Sequence, residues 1–183
     1  MLLDNLYDSL PINKYPNVRL DEATYKELKS LYDDNFLKQK YRTSVLEKSF
    51  FIGMIENTMY FKVNSSEFEK NGILYTNRIE FEEFFEQAKD IGTKTSDVAN
   101  LLMNYGNIKV HCTCPSFLYW GYQYLSTAID ASVEPENRKP VIKNPDERGI
   151  VCKHLRKTLN ALPFQKDFLK AGIDDYRKRQ GLK

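Results

Sequence analysis

The chain has 183 residues, enough for one ordinary core and short for two independent domains; its 42% hydrophobic and 28% charged residues exclude a wholly disordered chain. A net charge of +2 is too small to argue by itself for nucleic acid or an anionic membrane surface. No apolar run approaches the ~20 residues that span a bilayer, and the start Met1-Leu2-Leu3-Asp4 lacks the basic and apolar regions of a secretory signal, so a soluble protein with no membrane partner is expected.

Residues 1–20 read as an N-terminal arm, in which Leu2 to Leu10 can form a short helix that stops at Pro11 and Pro16 keeps the adjoining residues extended. Asp21 can cap a helix running to Lys38, because Tyr25, Leu28, Tyr32 and Phe36 recur on one helical face. From 44 to 81 the pattern turns to that of strands. Phe51-Ile52 and Ile55 come first, then Met59, Phe61 and Val63 alternate with Tyr60 and Lys62, and Ile73-Leu74-Tyr75 and Ile79 come last, as a strand or equally as a short extension leading into the next helix. Glu56-Asn57-Thr58, Asn64-Ser65-Ser66 and Asn71-Gly72 mark the turns of a small antiparallel sheet.

A helix is then predicted from the stripe Phe81, Phe84, Phe85, Ala88 and Ile91, which lies opposite a run of glutamates. Another starts at Thr95 or Ser96, carries Val98, Leu101, Leu102 and Tyr105 on one face, and stops at Gly106. Asn107 to His111 reads as a strand. The aromatic-rich stretch 117–129 reads as a helix, and 133–149 as a long loop with Pro135, Pro140 and Pro145. Helices starting at Cys152 and at Pro163 complete an α+β chain: a small antiparallel sheet, several packed helices and a zinc-stapled C-terminal half. The corresponding units are the arm 1–20, an α+β core 21–106, a zinc-binding module 107–162, and a C-terminal helix with a basic tail 163–183.

The chemistry concentrates in two pairs. Three cysteines are an odd number, and two of them are separated by one residue, so a disulfide framework is a poor explanation for them in a reducing compartment. Cys112-Thr113-Cys114 puts two sulfurs on one side of a strand end, since residues i and i+2 share a face, and Cys152-Lys153-His154 brings two more donors together at a helix start. Thiolate sulfur and imidazole nitrogen are the usual donors of structural Zn2+, which takes four of them tetrahedrally. The competing explanation is packing, because cysteine is among the most often buried residue types. A catalytic zinc would keep a position open for water, whereas here a fourth ligand is present. His111 should face away from Cys112. With no phosphate-binding glycine loop, serine nucleophile elbow or paired-carboxylate motif, a non-enzymatic protein is expected.

Val110-His111-Cys112-Thr113-Cys114-Pro115-Ser116-Phe117, followed by Gly149-Ile150-Val151-Cys152-Lys153-His154-Leu155, resembles the SWIM-type zinc finger, a Cys-x-Cys pair, a spacer and a Cys-x-His pair. The resemblance implies zinc ligation by Cys112, Cys114, Cys152 and His154 and a role in DNA or protein interaction. Here 37 residues, 115 to 151, separate the pairs, a longer spacer than in the ordinary finger, which weakens the nucleic-acid implication more than the metal one. The long form, with an aromatic helix and the proline-rich loop through Lys143-Asn144-Pro145, is similar to structural and uncharacterised proteins of tailed bacteriophages. That similarity implies a multi-copy virion component at the head, neck or tail junction, located in the particle or the host cytoplasm and contacting other virion proteins. The alternative is a DNA- or RNA-binding protein that uses its basic second half, Arg138, Lys139, Lys143, Arg148, Lys153, Arg156, Lys157 and Arg177 to Arg179, on phosphates, with Tyr119, Trp120, Tyr122 and Tyr124 as stacking groups.

Overall fold

The computed structural model describes residues 49–65, 67–145, 147, 149 and 151–182. The arm at 1–20 and the helix expected over 21–38 lie outside them. The architecture is α+β: a four-stranded antiparallel sheet in sequential order with helices packed on it.

Strands β1 (Ser49–Ile55) and β2 (Thr58–Asn64) form a hairpin through Glu56 and Asn57, with Glu56 at φ 53°. The Asn57 carbonyl accepts the Phe81 N–H at 3.0 Å and its side-chain amide donates to the Phe81 carbonyl at 3.1 Å, so the turn is tied to the far end of β3 (Leu74–Phe81). A one-turn helix, α1 (Phe68–Asn71), connects β2 to β3.

One sheet face carries the core. Met59 pairs with Ile79, and Ile79 with Val110 of β4 (Ile108–Cys112); Phe61 pairs with Asn77, and Asn77 with Cys112. Because partners in an antiparallel ladder point to the same side, these residues form continuous rows. Met59, Phe61, Val63, Ile79 and Phe81 are fully buried, each contributing on the order of 2 kcal/mol of transfer free energy.

Three short-range expectations are corrected by the packing. The stripe from Phe81 to Ile91 is not one helix: Phe81 ends β3, the helix α2 is only Phe84–Lys89, and Ile91 is exposed beyond it. The Phe81 N–H goes to Asn57 and the Glu82 N–H to the Asn107 carbonyl, so the sheet and the β4 approach take backbone groups a helix would need. Helix α3 (Thr95–Tyr105) runs as expected but buries Val98, Ala99 and Leu102, leaving Leu101 and Tyr105 exposed. The stretch 117–129 is two helices, α4 (Pro115–Tyr119) and α5 (Tyr122–Ala128), broken at Gly121 with φ 84°. A Cβ at Gly121 would lie 2.2 Å from Pro140 Cγ, so the later loop packs where a continuous helix would need a side chain.

Helix α6 (Lys153–Ala161) lies on the core face, where Thr158 Oγ1 accepts from the fully buried Asn77 amide at 2.6 Å and lies 3.1 Å from Ser49 Oγ. A 3-10 turn (Leu162–Gln165) leads into α7 (Lys166–Arg179), which runs along β1 towards α2 and α3. Phe168 stacks on Phe51 with centroids 4.4 Å apart, and Gly172 lets the helix approach so closely that a Cβ there would sit 2.6 Å from Met54 Sδ. Among the described residues no helix is long and apolar enough to cross a membrane.

Candidate metal centre

β4 delivers the first ligand pair. Its last residue, Cys112, faces the core, and Thr113 extends the pairing by one step: its N–H reaches the Thr76 carbonyl at 3.0 Å and its hydroxyl accepts the Thr76 N–H at 2.9 Å. This returns Cys114 to the side of Cys112. Cys114 then stands at the N-cap of α4 with extended dihedrals, where Pro115, needing no N–H partner, can open the helix.

The second pair opens α6. Cys152 is the N-cap residue, and its sulfur accepts the Leu155 N–H at 3.5 Å while its carbonyl takes the Arg156 N–H at 3.0 Å. His154 lies in the first turn. The Cys114 N–H likewise points at Cys112 Sγ, at 3.4 Å. Amide donors aimed at sulfur favour the thiolate form, the form that binds metal.

The four donor atoms lie within 4.8 Å of one another, and all four residues are buried. Ligands on a tetrahedral zinc with ~2.3 Å Zn–S bonds are ~3.8 Å apart, so the cluster needs only a small contraction to hold such an ion. Two further observations fit a cation. Neither imidazole nitrogen of His154 has a hydrogen-bond partner although both are buried, a state that costs free energy unless something ligates one of them. Without an ion the three sulfurs polarise one another. Hydrogen bonds from the Cys112 and Cys152 thiols hold Cys114 far below the usual thiol range, while burial pushes Cys112 and Cys152 well above it. A divalent ion would let all three ionise together. The centre thus satisfies the donor chemistry of a metal site at the junction of β4, α4 and α6.

No family model, curated protein or solved structure matches this chain. The functional reading therefore rests on the residues themselves.

His111 lies opposite Cys112, as its place in the strand requires. Its ring meets Phe117 with centroids 5.6 Å apart, and Nδ1 is 3.7 Å from the Glu134 carboxylate, which also pairs with Arg78. Burial and the nearby Arg78 guanidinium lower its affinity for a proton. It takes no part in the sulfur cluster.

The residues between the ligand pairs are pinned at many points. The Ala131 carbonyl and Val133 N–H bracket Val110, at 2.8 and 3.1 Å, adding a bridge along the outer edge of β4. The Gln123 amide donates to the Glu134 carbonyl at 2.8 Å, and the Thr127 hydroxyl accepts the Glu136 N–H at 2.9 Å. Arg138 pairs with Glu136 and Lys139 with Glu147. The side chains that the loop and α4 leave in solvent include an apolar group: Tyr119, Trp120, Val141 and Ile142. Of the four rings proposed for stacking, Tyr122 is buried and Tyr124 half-buried. The basic end of the chain is also engaged, for Arg177 donates to the carbonyls of Ala88, Asp90 and Thr93.

Sequence reasoning did not single out Tyr75, whose ring lies 4.7 Å from that of His154. It was visible only as one position of a strand. Its contact with a helix much later in the chain has no local signal.

Proposed function

We propose that this chain is a zinc-stabilised structural or assembly protein that acts through protein–protein contacts, with one Zn2+ held by Cys112, Cys114, Cys152 and His154. The observation that carries the reading is the buried convergence of three sulfurs and an otherwise unpartnered imidazole. Four protein donors leave a tetrahedral ion no position for water, which favours a structural over a catalytic ion. The ion would join the end of β4 to the start of α6 and so close the intervening loop, whose ordering would otherwise cost chain entropy.

The working surface in this reading is the apolar group Tyr119, Trp120, Val141 and Ile142, shown to solvent by α4 and the loop; large exposed rings are typical anchors of protein interfaces. A virion setting, with other particle proteins as partners, is part of this proposal. A nucleic-acid role draws less support, because Arg177 is engaged by three backbone carbonyls and, of the rings proposed for stacking, Tyr122 is buried and Tyr124 half-buried.

Two measurements test this. Metal analysis of protein purified without chelator should find about one zinc per chain, as a single four-ligand site requires; metal-free protein of equal stability would end the metal reading. Titration with DNA and RNA across salt concentrations should show no salt-dependent affinity, and a steep salt dependence would favour the nucleic-acid alternative instead.

A further inference from the structure

We infer that Tyr75 is the shutter of the metal centre: its ring stands between the four ligands and solvent and sets how fast the bound ion is lost. The inference rests on the metal reading above and goes beyond ligand identity to the question of access.

Tyr75 lies on the core face of β3, in the row of Asn77 and Ile79, and pairs with Val63 of β2. Beyond β4, the reciprocal bonds between Thr113 and Thr76 carry the register one step further, which sets Cys114 alongside Tyr75. From the other side His154 meets the ring, with centroids 4.7 Å apart and planes tilted by 53°. Tyr75 therefore touches the helix that supplies one ligand pair and flanks the turn that supplies the other.

Its surroundings define the direction of access. Val63, its partner on β2, and Asn77, the next residue of its row, are fully buried, as is Leu155, whose N–H meets the Cys152 sulfur, so these sides admit no solvent. Ile73 and Leu74, immediately before Tyr75, are exposed, so the sheet meets water at this end. Tyr75 is itself only partly buried and packs against the core. A water molecule or chelator entering from the open end of β3 reaches the sulfurs past this ring. Ligand exchange at a four-coordinate zinc needs an incoming donor, and the apolar shell around a site controls that access.

The test uses the full chain loaded with zinc and an excess of a chromogenic zinc chelator. Tyr75→Ala should begin with the same zinc content as the parent and release it about tenfold faster or more, while Tyr75→Phe should stay within about twofold, since the ring and not the hydroxyl is the barrier. Tyr75→Leu, which keeps apolar bulk if the alanine variant folds poorly, should fall between them. Met59→Ala, fully buried on the neighbouring strand but paired with Ile79 and not with Tyr75, controls for loosening of the sheet and should leave release near the parental rate. In Co2+-loaded protein the sulfur-to-metal absorption should be the same for Tyr75→Ala and parent, because no ligand changes. Parental release rates in Tyr75→Ala and Tyr75→Leu at full zinc content would overturn the shutter and leave the metal site standing. Equal acceleration by Met59→Ala would also overturn it, by making release a matter of sheet stability. A parent chain that binds no zinc would overturn both.

Discussion

Cys152 does two jobs at one position, capping α6 with its sulfur and contributing that same sulfur to the cluster. Serine is among the best N-cap residues, so Cys152→Ser keeps the first role and removes the second. The variant should contain little zinc and unfold at clearly lower temperature, because several kcal/mol of metal-linked folding energy is lost. Thermal unfolding alongside metal content reads this directly, and a zinc-free variant as stable as the parent would separate the metal from the fold. Gly121 is the other position where one atom decides much. At φ 84°, and with Pro140 Cγ 2.2 Å from where its Cβ would be, Gly121→Ala should destabilise by about 1–3 kcal/mol in urea unfolding. Making the change in a Pro140→Gly background should recover the steric part and leave the dihedral part, since Pro140 Cβ itself stands 2.4 Å from the added Cβ.

Among the elements, α2 is a six-residue helix whose C-terminal carbonyls would be short of donors without Arg177. That guanidinium, brought from the last turn of α7, donates to Ala88, Asp90 and Thr93 at once. Arg177→Ala should lower stability by about 1.5–3 kcal/mol, the range for hydrogen bonds to a charged group. Arg177→Lys should recover little, since one ammonium cannot span the same three carbonyls. Denaturant titrations of both variants decide the point, and near-parental stability of the alanine variant would reduce these contacts to surface decoration. A buried polar link works similarly between α6 and the sheet. Thr158→Val leaves the fully buried Asn77 amide without its acceptor and should cost about 1–3 kcal/mol.

For the molecule as a whole, the cluster lies where the sheet, α4 and α6 meet, with the residues between the ligand pairs laid along β4 and over Gly121. Removing the ion should therefore act regionally before it acts globally. Hydrogen exchange after chelation should speed up first in α4, in residues 129–145 and in the first turns of α6, with the β1–β2 hairpin and β3 affected less. Uniform acceleration throughout would mean that the centre and the sheet unfold as one unit.

Much of this was open to a reader of the residues alone, and the dividing line has a physical cause. Alternating apolar positions such as Met59, Phe61 and Val63 declare strands because side chains in a strand change faces at every residue. Cys112, Cys114, Cys152 and His154 declared themselves as two pairs because adjacent donors must share a face to reach one ion. Signals of this kind lie within a few residues. The late start of α2 at Phe84, the break at Gly121 and the place of Tyr75 over His154 were decided by Asn107, Pro140 and α6, groups remote in the chain. Local periodicity contains no term for a partner that arrives later, so which residues end an element and which shield the centre emerge only when the sheet and helices are packed together.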